Sequence, residues 1–395
     1  MKKRELFYCL CLFLNLVAEA QFVNTEPSKK LTSFGFKQFF GGIIVLTGTL
    51  NNTKDSLNFI LDTGSSGISL DSSTVEEKKL KSELSDISIV GIAGTRVLSF
   101  VKNTTLNLPG LSIPNLDFHI ANYEVLTETY GVKIDGIIGY SFLRQFIISI
   151  NYDSLKIEVF SPGIYKYPRM GYLLRPNFTR IPMINAYTKE NRKTTNSYYF
   201  DIGAGLSLLV SQKFASDSFF LRSNKKPVLS QVEGLGGKAQ MQLTTIKELK
   251  LGPYAFRQVP TYLFEDPNNV LAYPILAGLI GNDILRRFNT VLNYPVREIY
   301  ITPNSHYNDS FDYSYSGLNI YFIDGKVVVG EVMDNSPAKE AGFKPGDTIF
   351  GIGSDFSNNI QKYKELIQSA GRKLVIIIIR DEKAMLLILK VKSIR

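Results

Sequence analysis

Cysteine, histidine and tryptophan are almost missing from this 395-residue chain, which has two cysteines, two histidines and no tryptophan. Both cysteines, Cys9 and Cys11, sit in an N-terminal stretch with a basic start at Lys2-Lys3-Arg4, an apolar run over residues 6–17 and the triplet Ala18-Glu19-Ala20. That order of basic, apolar and small residues predicts a signal peptide over residues 1–20, and an exported protein that is periplasmic, cell-surface or secreted. An apolar run of twelve residues is too short for ~30 Å of hydrocarbon at ~1.5 Å per residue, so no permanent membrane span is expected.

Removal of that segment leaves no cysteine. Thiol nucleophiles, disulfide frameworks and cysteine-bearing zinc sites are thereby excluded, and no metal site or cofactor is expected. A Ser-His-Asp triad would have to use His119 or His306, which read as ordinary strand and polar-segment positions. The net charge of +9 is spread along the chain without a basic cluster interleaved with aromatics, so nucleic acid is not an expected partner. Gly64-Ser65-Ser66-Gly67 is not a G-x-S-x-G nucleophile elbow, since no helix follows it. Acid–base chemistry near neutral pH is left to carboxylates.

What the chain does have is a repeat. At roughly 150 residues per domain its length suggests two or three domains. Four landmarks recur in order within residues 35–305, where strand-type segments rich in β-branched and aromatic residues dominate. Phe59-Ile60-Leu61-Asp62-Thr63-Gly64 returns as Tyr199-Phe200-Asp201-Ile202-Gly203. Gly91-Ile92-Ala93-Gly94 returns as Gly234-Leu235-Gly236-Gly237, and Thr105-Leu106-Asn107-Leu108 as Glu248-Leu249-Lys250-Leu251. Gly136-Ile137-Ile138-Gly139 returns as Gly278-Leu279-Ile280-Gly281. The near-constant offset predicts two tandem β lobes, 21–165 and 166–303. A linker is expected at 304–316, and a small α+β domain at 317–395.

Each Asp-x-Gly turn puts a carboxylate directly after an apolar strand, with a glycine that permits a sharp turn. Two such turns related by a pseudo-twofold axis can bring both carboxyls to one water. A close pair cannot ionise twice cheaply, so it holds one shared proton. Its ionised member can deprotonate water and its protonated member can donate to a carbonyl oxygen.

These turns, with their downstream apolar-apolar-Gly segments, resemble the pattern of pepsin-like and retropepsin-like aspartic peptidases. The resemblance implies an all-β, bilobal acid-protease fold with Asp62 and Asp201 as the catalytic pair. Thr63, Gly64, Ser65, Ile202, Gly203 and Ala204 would support the loops, with Ser65 hydrogen-bonding the Asp62 carboxylate. Gly91, Ile92, Ala93 and Gly94, and Gly234, Leu235, Gly236 and Gly237, fall where the family places substrate-covering flaps. The threonine of each turn would clasp the other lobe, yet Ile202 has no hydroxyl to do so. Two readings stay open: a monomeric aspartic endopeptidase acting on peptides or proteins, and a catalytically silent peptide-binding protein with a degenerate second site.

The C-terminal segment, with Ser336-Pro337-Ala338, Ala341-Gly342-Phe343 and Pro345-Gly346-Asp347-Thr348-Ile349, resembles a circularly permuted PDZ domain. The resemblance places a carboxylate-binding loop at Gly317, Leu318, Asn319 and Ile320. A C-terminal peptide ligand and a role in substrate recruitment or regulation are what it implies.

Overall fold

The computed structural model describes residues 26–91, 94–234 and 237–395. The expected signal peptide and the hairpin-tip residues Ile92, Ala93, Leu235 and Gly236 lie outside the described residues. The fold is bilobal and mostly β, followed by a small α+β unit.

The duplication is visible in the strand order. One eight-stranded sheet runs Lys37–Gln38, Ile44–Leu50, Leu57–Leu61, Gly136–Ile138, Ile68–Asp71, Leu111–Ala121, Gly94–Leu108, Glu83–Gly91. The other repeats this order as Asn177–Phe178, Pro182–Lys189, Lys193–Phe200, Gly278–Ile280, Leu208–Ser211, Tyr254–Phe264, Gly237–Leu251, Val228–Gly234. In both sheets the strand before the aspartate pairs in parallel with the short apolar strand of the fourth landmark. That pairing needs a long crossover, which the intervening hairpin provides.

A third sheet, absent from the sequence reading, joins the lobes. It has six strands, ordered Lys30–Gly35, Lys156–Phe160, Ile147–Asn151, Phe288–Asn293, Glu298–Pro303, Tyr172–Leu174. Its centre is the antiparallel pair in which Ile147 faces Asn293 and Ile150 faces Thr290, so one strand from each repeat meets at the pseudo-axis. Both lobes and this sheet share one hydrophobic core that includes Phe59, Ile148, Phe200 and Leu292.

Short helices punctuate both lobes. Ser72–Glu77 starts on Asp71, whose carboxylate accepts from Ser73 N–H at 2.9 Å, as expected of an N-cap aspartate. Gln212–Asp217 is its counterpart. Glu124–Tyr130 is found in the first lobe alone, closed by Gly131 in the left-handed region.

The segment read as a linker is fastened at several points. Phe311 is buried in the common core, and the buried Arg287 guanidinium stacks 4.2 Å over its ring. Ser314–Tyr315 then pairs with Lys392–Ser393. Beyond it, a five-stranded sheet in the order Leu318–Ile323, Lys326–Val332, Thr348–Ile352, Lys373–Arg380, Lys383–Lys390 carries the helices Pro337–Glu340 and Ile360–Ile367 around its own core.

Asn282 ties the lobes together. It is fully buried, donates to Gly42 O at 2.5 Å and accepts from Tyr152 OH at 2.9 Å. Replacing Asn282 with Ala strands both partners, so urea unfolding should show a loss of about 1–3 kcal/mol. A loss below a few tenths would mean the tie is dispensable.

Candidate active site

The two Asp-x-Gly turns meet face to face at the lobe boundary. Asp62 N–H donates to Ile138 O at 2.9 Å and Asp201 N–H to Ile280 O at 3.0 Å, so each aspartate sits on the end of its parallel strand pair. The apolar-apolar-Gly segments run beneath the turns. Gly139 is pressed against the carbonyls of Ser65 and Gly67, and Gly281 against those of Ala204 and Leu206, where a Cβ would collide with backbone.

The loop glycines have a second use. A Cβ added at Gly64 would come within 2.5 Å of Asp201 Oδ2, and one at Gly203 would come closer still to the Asp62 carboxylate. Each carboxyl therefore rests on the glycine of the opposite turn, an approach that only glycine permits.

Backbone donors hold both carboxyls. Gly64 N–H reaches Asp62 Oδ1 at 2.6 Å, and Ser65 reaches Asp62 through its own backbone N–H. Gly203 N–H reaches Asp201 Oδ1 at 2.8 Å, with further backbone donation from Ala204 and Gly64. The two carboxyls also hydrogen-bond to each other. Burial is the main force raising the Asp62 carboxyl well above the usual range, with the Asp201 charge and the mutual hydrogen bond adding to it. Burial raises Asp201 too, but the same hydrogen bond opposes the rise. Both carboxyls are thus raised, and the buried pair holds one shared proton between them.

The clasp between the turns is one-sided. Thr63 Oγ1 donates across the boundary to Phe200 O at 2.7 Å and accepts from Ile202 N–H at 3.0 Å. At the related position Ile202 is almost fully buried and belongs to the common core. The second half of the contact is hydrophobic packing.

Two tyrosines of this neighbourhood escaped the sequence reading. Tyr152 and Tyr294 follow the central strands of the joining sheet. Tyr152 reaches Asn282, the residue after the second apolar-apolar-Gly segment, through its hydroxyl. Tyr294 lies 6.2 Å, ring to ring, from Tyr140, the residue after the first. The Tyr294 hydroxyl is buried and has no hydrogen-bond partner among the described residues, and burial and the two aspartates all disfavour its ionisation. The signal was there to read: Asn151-Tyr152 and Asn293-Tyr294 repeat at 294 − 152 = 142, the offset of the fourth landmark.

The remaining expected positions are also placed. Gly91 pairs with Gly94, and Gly234 with Gly237, at the ends of the two long hairpins. Gly317 has φ +67° where a Cβ would strike Ser336, and Leu318, Asn319 and Ile320 begin the edge strand of the C-terminal sheet. His119 is half-buried in its strand with its imidazole pKa lowered by burial, while His306 is exposed and bonded to Asp309 at 2.9 Å. Among the described residues no group of His, Cys, Asp and Glu has the arrangement of a metal site, and no helix is long and apolar enough to cross a membrane.

A two-lobed β protein with a hydrogen-bonded carboxyl pair at its pseudo-axis, followed by a small five-stranded sheet, is the class this geometry defines. In family terms, residues 46–142 match the aspartyl protease family and residues 328–381 the PDZ domain. The chain thus carries an aspartyl protease domain and a C-terminal PDZ domain. Asp62 lies within the first match and Asp201 outside both. Among curated proteins none matches the chain.

The raised carboxyls have a thermodynamic sign. A carboxyl whose folded pKa exceeds its unfolded value of about 3.9 contributes stability that is complete below that value and is lost as pH rises toward the folded one. Asp62→Asn removes this cost. The difference in melting temperature should shift steadily in favour of the variant from pH 4 toward pH 7; a shift in favour of the parent as pH rises would contradict a raised Asp62.

Proposed function

We propose that the chain is an aspartic endopeptidase in which Asp62 and Asp201 activate one water. The observation that carries this is the pair of hydrogen-bonded carboxyls, seated on matching turns and both raised by burial. The ionised carboxyl of the pair takes a proton from water as its oxygen adds to the scissile carbonyl carbon, and the protonated carboxyl gives its proton to the carbonyl oxygen. Both carboxyls have then exchanged states. Collapse of the diol returns a hydroxyl proton to the carboxyl that gave one, the other carboxyl protonates the leaving nitrogen, and the C–N bond breaks to release acid and amine. A single chain supplies both halves, so a monomer suffices.

The PDZ domain supports peptide binding, and we assign its ligand loop to residues 317–320, where backbone donors precede an edge strand that a peptide can extend. The N-terminal pattern supports export, with residues 1–20 removed. Ile202 favours a second reading, a protein that binds peptides without cleaving them, because the clasp holding the turns is halved.

Cleavage of a peptide library followed by mass spectrometry separates the two. The endopeptidase gives a bell-shaped pH profile whose flanks belong to the pair. Asp62→Asn and Asp201→Asn should each lower kcat/KM by 10³-fold or more, a barrier change of about 4 kcal/mol. Full activity in Asp201→Asn, or no cleavage by the parent at any pH, contradicts the reading.

A further inference from the structure

The edge strand Leu318–Ile323 and the helix Ile360–Ile367 bound the groove in which a PDZ domain takes a peptide. In this chain the end of the groove away from residue 317 is filled by the first lobe. The helix Glu124–Tyr130 packs beside the edge strand, and its closing residue Gly131 wedges between the groove walls. A Cβ there would lie 2.5 Å from Ile360 Cγ2 and 3.5 Å from Phe322 Cβ. Gln361 completes the contact with both ends of its amide. Its Nε2 donates to Tyr130 O at 2.9 Å, and its Oε1 accepts from Phe40 N–H at 2.8 Å. Main-chain groups are read much as those of a bound peptide would be.

Tyr321, which alternates with the core-facing Ile320 and Phe322, grips the second-lobe hairpin close to its tip from the opposite face of the edge strand. Tyr321 OH donates to Glu233 Oε1 at 2.7 Å. Gln231 Nε2 donates to Tyr321 OH at 2.8 Å and to Glu331 Oε2 at 3.0 Å. Lys238 pairs with Glu331 at 2.8 Å and lies 3.9 Å over the Tyr321 ring. Farther down the hairpin, Tyr315 OH donates to Leu229 O at 2.9 Å. The hairpin strand Val228–Gly234 also packs on the first-lobe helix Glu124–Tyr130, so it reaches across the lobe boundary. Lys364 lies under this junction, 5.6 Å from the Phe40 ring; burial lowers its ammonium to about 8, against the pull of Glu233.

We propose that the PDZ groove is occupied in cis by the Tyr130-Gly131 turn of the first lobe, and that this docking latches the second-lobe hairpin across the cleft in a closed position. The helix that docks has no counterpart among the described residues of the second lobe. An external peptide must displace this turn to extend the full length of the edge strand. Release of the turn removes the platform that Tyr321 and Glu331 offer the hairpin, and so opens the cleft. The effect on cleavage rests on the function proposed above; the latch does not.

Hydrogen exchange of the full-length protein, read by mass spectrometry, tests the latch without requiring catalysis. In Gln361→Ala/Tyr321→Phe, residues 228–251 should exchange at least tenfold faster than in the parent, while the strand Leu57–Leu61 stays unchanged. A second variant, Lys238→Ala/Glu331→Ala, removes a partly exposed pair and should shift the hairpin in the same direction. Hairpin exchange equal to that of the parent in both variants overturns the proposal. Cleavage of fluorescein-labelled casein should rise several-fold in the variants, and a fall alongside faster exchange overturns the closed-position claim. If neither parent nor variants cleave, the peptidase reading fails while the exchange result still decides the latch.

Discussion

Everything in the two lobes is organised around one contact: two aspartate turns pressed together so closely that each carboxyl lies on the glycine of the other. That approach forces the carboxyls to share a proton, because two buried negative charges at hydrogen-bond distance are too costly. It also explains the surrounding sequence. Gly64 and Gly203 make room for the opposing carboxyl, Gly139 and Gly281 for the loop carbonyls, and Thr63 holds the turns in register. The strand pair at Ile147–Ile150 and Thr290–Asn293 sets the lobes at the spacing this contact needs.

The arrangement carries a cost that the rest of the fold must offset. Burial disfavours the ionised form of both aspartates, so the site opposes folding as pH rises from acid toward neutral. The offset comes from the continuous core beneath the site and from ties such as Asn282. With Ile202 in place of a hydroxyl-bearing residue, one arm of the clasp depends on packing.

Much of this was legible in the residues. The repeat offset located both turns and the glycines beneath them, because a duplicated fold has to place the same backbone-tolerant residues twice. The PDZ pattern was legible for the same reason, through its Pro-Gly-Asp turn and its strand spacing. The joining sheet was not, since its strands are short and their pairing between lobes is decided by tertiary packing. Tyr152 and Tyr294 were readable at the common offset but only as strand-end aromatics. The docking of Gln361 on Tyr130 and Phe40 leaves no trace in any local pattern, since the partners lie 231 and 321 residues away. Phe311 looks like a linker residue because its neighbours are polar, although it is buried in the core.

The shared proton is the claim on which site and proposed chemistry both depend. A potentiometric difference titration of the parent against Asp62→Asn/Asp201→Asn counts it directly. The account predicts one proton retained by the parent pair well above pH 3.9, the ordinary value of a free aspartate. Loss of both protons by about pH 5 would show two independent carboxylates and contradict it.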